Sequence, residues 1–192
     1  MERTGRLLAA LLLAGAAAGL TMPVEAQMQI GLRAIEARVG FADLEDEAGS
    51  TFILSAAADM GRLTEQLLLE LNADFWTKTW DTAADAEWQW TNFALLANAR
   101  YPFSLGESPI HPFAFGGLGL HYWKADWDCP QCDGFLGDDD ESGLEFGLDL
   151  GAGADFGAAD AGIIPTARLG YNFNGGADYL FISGGVKFPV GK

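Results

Sequence analysis

From Gln27 onward the chain alternates apolar and polar positions with a period of two in about eight runs, a pattern that a strand can use and a helix cannot. Gly143–Phe156 shows it most clearly. One face carries Leu144, Phe146, Leu148, Leu150, Ala152, Ala154 and Phe156, and the other carries Glu145, Gly147, Asp149, Gly151, Gly153 and Asp155. Successive side chains of a strand point to opposite faces, so this segment has one wholly apolar wall and one narrow wall of acids and glycines.

The same two walls recur along the chain. Ile35, Ala37, Val39 and Phe41 oppose Glu36, Arg38 and Gly40, while Ile30, Leu32 and Ala34 alternate in the other phase. One extra residue swaps the faces of a strand, so a late start or a bulge is expected near Ala34. Further runs span Thr51–Met60, Gln66–Lys78, Glu87–Tyr101, Ile110–Lys124, Ile163–Phe173 and Tyr179–Val190. In Ile110–Lys124 the glycines blur the phase; Leu118, Leu120 and Tyr122 are assigned to the apolar wall, and His111, Gly117, Gly119 and His121 to the polar one.

The connections alternate in length. Leu44–Ser50, Thr79–Ala86, Ala125–Ser142 and Asn174–Asp178 follow odd runs, and Gly61–Glu65, Pro102–Pro109 and Gly157–Gly162 follow even ones. With its flanks the first set holds 15 acidic residues, so one end of the molecule is strongly anionic. The Asn-Gly-Gly-Ala-Asp turn supplies the positive φ that a tight hairpin needs.

Alternation alone does not say which wall meets which solvent. The polar wall mixes Gly with ions of both signs, as a tight lumen would, and lacks the Lys, Ser and Thr density of a solvated exterior. The apolar wall persists for about five alternate positions per strand, matching the roughly 9–11 residues of a tilted membrane strand. Aromatic residues gather at strand ends: Phe75, Trp76, Trp80, Trp88, Trp90, Tyr122, Trp123 and Trp127 on one rim, and Tyr101, Phe103, Phe156 and Phe188 on the other. Such rims are expected to form aromatic girdles at the headgroup levels. An apolar exterior and a polar lumen follow.

The amino terminus agrees. Met1–Ala26 has a basic start (Arg3, Arg6), an apolar run from Leu7 to Leu20 and small residues at Val24 and Ala26, the pattern of a secretory signal peptide cleaved before Gln27. Residues 27–192 then form one β-barrel domain. The leader holds two acids and two bases (Glu2, Glu25; Arg3, Arg6), so the mature chain keeps 25 acidic and 9 basic side chains and the whole net charge of −16. That acidity excludes nucleic acid as a partner, because its phosphates would be repelled.

The mature chain resembles the small eight-stranded outer-membrane barrels of the outer membrane protein A and X type. The resemblance is one of architecture: strand number, wall alternation and the alternating loops. Near the carboxyl end, Ser183, Gly185, Phe188 and Val190 fit the polar-x-Gly-x-x-apolar-x-apolar pattern of their assembly signal, although the chain ends Pro189-Val190-Gly191-Lys192 without a terminal Phe. The resemblance implies an all-β, antiparallel, up-and-down transmembrane barrel in the bacterial outer membrane. Its implied partners are outer-membrane lipid and lipopolysaccharide, with the barrel-assembly machinery during biogenesis, and it implies a monomer without a cofactor. The alternative is a secreted soluble barrel of lipocalin type that binds an apolar ligand.

With the polar wall inward, the lumen receives Glu36, Asp59, Glu70, Asp74, Glu145, Asp149 and Asp155 with Arg38, Arg100, Arg168 and Lys187. Buried ions must be paired or neutralised, so an Arg-centred network is expected. The excess carboxylates would be hydrated near the ends, protonated, or partnered by His121. A side-chain plug is the primary reading, because eight strands leave an interior just filled by side chains; an ion path or small pocket is the alternative.

Cys129-Pro130-Gln131-Cys132 in an exported protein reads as a local disulfide, with metal binding and redox activity as alternatives. Asp138-Asp139-Asp140-Glu141 reads as a solvated loop, or as a weak site for a divalent cation. Catalysis is not expected. Lipid A deacylases resemble this fold in size and use a His-x-Ser pair with a Glu, whereas His121 is followed by Tyr122 and Trp123, and His121 with Glu145 lacks a nucleophile. Gly151, Gly153 and Gly157 fit no phosphate-binding fingerprint, since no helix follows them.

Overall fold

A computed structural model describes residues 28–44, 49–81, 87–128, 141–158, 161–175 and 177–190. Residues 1–27, on which the signal-peptide expectation falls, and Cys129, Cys132 and Asp138–Asp140 lie outside the described residues. The strands are β1 (Gln29–Leu44), β2 (Gly49–Arg62), β3 (Leu68–Asp81), β4 (Glu87–Pro102), β5 (Ile110–Asp128), β6 (Glu141–Phe156), β7 (Ile164–Phe173) and β8 (Tyr179–Pro189). Each pairs antiparallel with its neighbour in chain order, and β8 returns to β1, so the sheet closes into an eight-stranded up-and-down barrel. Closure leaves no edge strand.

The phase change in the first run has a structural counterpart: the β1–β2 register shifts between Ile30 and Ala34. Beyond it Ile35, Val39 and Phe41 are exposed while Glu36 and Arg38 are buried. At the closing seam Pro189 stands opposite Ala34, and the Val190 N–H donates to the Arg33 carbonyl at 2.8 Å. The donor that Pro189 lacks is thus replaced one residue on.

The outside of the barrel is apolar. Phe52, Leu118, Phe146 and Ile182 project outward from β2, β5, β6 and β8, and Phe146 is 84% exposed. The inside is polar: Glu36, Glu70, Asp149 and Arg168 are each at most 3% exposed. Hydrophobic burial drives soluble folding the other way round.

Several strands run further than the alternation suggests. Thr79–Asp81, Ala125–Asp128 and Glu141–Ser142, read as loop from sequence, belong to β3, β5 and β6. The cause is an inward row of cross-strand partners, Trp80 opposite Trp88 and Trp88 opposite Trp127, the last two rings edge-on at 5.4 Å. Aromatic cross-strand pairs stabilise a ladder. Outward residues in this extension are polar: Thr77 and Thr91 hydroxyls lie 3.3 Å apart, and Lys124 pairs with Asp126. On β3 to β6 the apolar band therefore stops at the row Phe75, Phe93, Tyr122 and Leu144, while β1 and β2 carry it one step past Val39 and Leu54 to Phe41 and Phe52.

Candidate functional site

The lumen holds the chain's densest chemistry, and the register explains how it fits. On β6 four of the inward positions, Gly143, Gly147, Gly151 and Gly153, are glycine, and the facing strand puts a large ring opposite three of them. Phe113 faces Gly153, Phe115 faces Gly151 and Trp123 faces Gly143, while Phe181 of β8 faces Gly170 of β7. A Cβ at Gly153 or Gly151 would come within 2.5 Å of the facing Phe ring. These glycines make room for rings inside a narrow barrel. Phe113, Phe115 and Phe181 join Trp76, Tyr179, Ile53, Ala42 and Leu44 in one buried apolar cluster within the lumen.

Around that cluster the ions form a connected network. Arg168 of β7 reaches across the lumen. Its Nη1 donates to Glu70 Oε1 at 2.5 Å, and its Nη2 donates to Glu70 Oε2 at 2.7 Å and to Glu36 Oε2 at 2.8 Å. Arg38 Nη1 donates to Glu36 Oε1 at 2.8 Å, and its Nη2 donates to Asn72 Oδ1 at 2.5 Å. Toward the short-turn end, Arg100 and Lys187 both donate to Asp155 Oδ2, at 2.5 and 2.6 Å. The Arg100 guanidinium lies 3.5 Å over the Phe113 ring, and Arg168 lies 5.2 Å from the same centroid. Forked guanidinium contacts to carboxylates are the strong kind, and stacking on Phe113 adds cation–π attraction.

The lumenal bases thus gather on Glu36, Glu70 and Asp155. Asp74 and Asp149 take amide donors instead, from Asn72 Nδ2 at 2.7 Å and Asn98 Nδ2 at 3.0 Å. Glu145 accepts from Trp123 Nε1 at 3.2 Å, and Asp59 accepts from the Gly61 N–H at 2.9 Å. His121 does not take up a carboxylate in these contacts. Its Nδ1 lies 3.5 Å from Asn174 Nδ2, and its Nε2 sits over Gly147, where a Cβ would meet it at 2.4 Å. Asn72, Asn92, Asn98 and Asn172 lie on the polar wall by sequence and are all buried on the lumen side, but the part that Asn72 and Asn98 play as partners of the acids has no charge-balance signal in the sequence.

The tryptophan girdle is a correction. Trp76 is fully buried inside the barrel, in edge-on contact with Trp90 and Tyr179. Trp80, Trp88, Trp90, Trp123 and Trp127 share the inward parity of their strands. Hence all six tryptophans of the chain stand on the lumen wall. The outward girdle is built from Phe and Tyr: Phe41 against Phe52 at 4.7 Å, Tyr171 against Phe173 at 4.4 Å, and Tyr101 against Phe103 at 5.2 Å. The misreading came from taking position along the strand without parity, although Trp76 shares the parity of Glu70, Asn72 and Asp74.

Of the acidic run, only Glu141 is described, exposed at the start of β6. Among the described residues no group of three or more His, Cys, Asp and Glu is placed to hold a metal ion.

Gly117 tests the space argument. It stands between Asn98 and Asp149 in the register, and a Cβ there would lie 2.1 Å from Asn98 Oδ1 and 2.2 Å from the Ala97 carbonyl. Gly117→Ala should therefore push Asn98 off Asp149 and lower stability by about 1–3 kcal/mol. Urea titration of the refolded barrel checks this, and an unchanged midpoint would show that the wall has slack there.

No family model matches this sequence, and no curated protein matches it significantly. Solved structures match the fold. Neisserial surface protein A aligns at 20% identity over 82% of this chain and 96% of its own, with a TM-score of 0.63. A major outer membrane protein from Thermus thermophilus aligns at 13% over 83% and 100%, with a TM-score of 0.59. The N-terminal β-barrel domain of Pseudomonas aeruginosa OprF aligns at 13% over 83% and 99%, with a TM-score of 0.53. The fold is that of the eight-stranded outer-membrane barrels.

Proposed function

We propose that this chain is an exported, monomeric outer-membrane protein whose lumen is closed by its own side chains and whose role is structural or one of surface interaction, without catalysis. The observation that carries this reading is the inverted polarity of the two walls. A continuous apolar exterior surrounds buried ions, which suits lipid outside and no apolar ligand inside. A lipocalin-type carrier would need the opposite arrangement, a polar exterior around an apolar cavity.

The closed lumen is supported by the Arg168 network and the ring cluster stacked along the barrel. Non-catalysis is supported by the commitment of those polar groups to each other. Interaction would fall to the end with the long acidic connections, where the tryptophan-lined extension rises past the lipid band. There lipopolysaccharide is the expected neighbour, with divalent cations bridging acid to phosphate. A cysteine clip at Cys129 and Cys132 would stiffen the longest of these connections.

Cell fractionation and planar-bilayer recording test this reading together. The protein should sediment with the outer membrane, pass no lasting ionic current, and leave the mass spectrum of co-incubated lipopolysaccharide unchanged. A steady current would overturn the closed lumen, and a mass change would overturn the non-catalytic role.

A further inference from the structure

At the short-turn end, opposite the acidic connections, a cavity of about 290 Å³ opens into the barrel mouth. Its polar lining is Arg33, Arg100, Lys187 and His111 with Asp59 and Asp155, and Leu68 and Ile164 contribute apolar wall. Three permanent cations thus meet two carboxylates in a chain whose net charge is −16. Both carboxylates keep their charge, which leaves the lining with an excess of one cation. Asp155 Oδ2 already accepts from both Arg100 and Lys187, and Asp59 caps the Gly61 N–H. Arg33 is exposed at the rim. Arg100, only 5% exposed, keeps a buried Nε–H without a partner among the described residues. His111 is held by its Nε2 against the Gly157 carbonyl at 3.0 Å.

A small, largely apolar cleft with a few convergent polar groups is the usual form of a ligand site, and arginine forks match carboxylate and phosphate oxygens. We propose that this mouth binds a small organic anion, a carboxylate or phosphate ester with a compact apolar body. Arg33 and Lys187 would receive its oxygens, and Leu68 and Ile164 its apolar part. The net positive lining would assist by raising the local concentration of anions. Arg100 and Lys187 join this mouth to the plug through Glu70 and Glu36, whereas Arg33 takes no part in the Glu36–Glu70–Arg168 contacts.

The test is a titration of the refolded, isotope-labelled mature protein in uncharged maltoside micelles, followed by amide NMR, with benzoate, phenyl phosphate, inorganic phosphate and, as the neutral control, benzyl alcohol. Saturable shifts should centre on Arg33, His111 and Gly157 for the aromatic anions. Arg33→Gln, at an exposed position that leaves the plug intact, should weaken the apparent affinity by about fivefold. Asp59→Asn should strengthen it, and added salt should weaken it. Phenyl phosphate binding above benzoate would assign the head group as phosphate, and the reverse as carboxylate. Equal shifts with benzyl alcohol, binding of inorganic phosphate as tight as that of phenyl phosphate, or indifference to Arg33→Gln would each overturn the proposal, as would no saturable shift at all.

Discussion

Replacing Arg168 by methionine should destabilise the folded barrel by about 3–5 kcal/mol, the cost of leaving buried carboxylates without their cation. The two acids it serves are not equally exposed to the loss. Among the described residues Glu36 would keep Arg38 at 2.8 Å and Lys187 at 3.7 Å, but Glu70 would retain only Arg100 at 3.9 Å. The deficit should therefore sit on Glu70. A second change, Glu70→Gln, removes the stranded charge while keeping the shape, so the double variant should recover most of the loss. A double-mutant cycle in urea, read by the folded and unfolded gel bands, isolates that coupling. Additive effects of the two changes would mean that the network does not act as a unit. An Arg168→Met variant as stable as the parent would mean that the lumen is wet enough to hydrate both acids.

The second large effect concerns the other wall. Leu118 lies midway along the outward face of β5, is 67% exposed, and stands between Ala97 and Leu148 in the register. An arginine at such a depth costs roughly 2–4 kcal/mol when the surroundings are hydrocarbon. Leu118→Arg should thus lower the folded fraction in vesicles sharply. Thr79→Arg supplies the contrast. Thr79 is also exposed, but it sits on the extension beyond the Phe75–Phe93–Tyr122 row, so the same charge should be tolerated there. Equal tolerance at both sites would place neither in lipid.

These expectations also mark what the sequence made legible. Wall assignment was readable because the period of two is a local property, and even the β1 irregularity showed as a phase change between Leu32 and Ile35. The inward set of ions was readable for the same reason. Which acid meets which base was not, because Arg168 contacts residues 98 and 132 positions away, and those meetings depend on the stagger of the closed sheet rather than on any local spacing. The ring cluster was obscured by its own cause. Gly116, Gly117 and Gly119 blur the pattern of β5, while the glycines that accept Phe113 and Phe115 lie on β6. The tryptophans illustrate the reverse error, in which a general preference for membrane interfaces outweighed a parity that the chain states plainly.

The central claim is that the apolar wall meets lipid and the ionic wall meets itself, and the behaviour of a chain of residues 27–192 with and without detergent tests it most directly. Refolded into maltoside micelles or lipid vesicles, it should be a monomer whose unboiled band migrates differently from its boiled band, and removal of detergent should precipitate it. A folded, monodisperse monomer in plain buffer would contradict the account, because so continuous an apolar exterior does not stay dispersed in water.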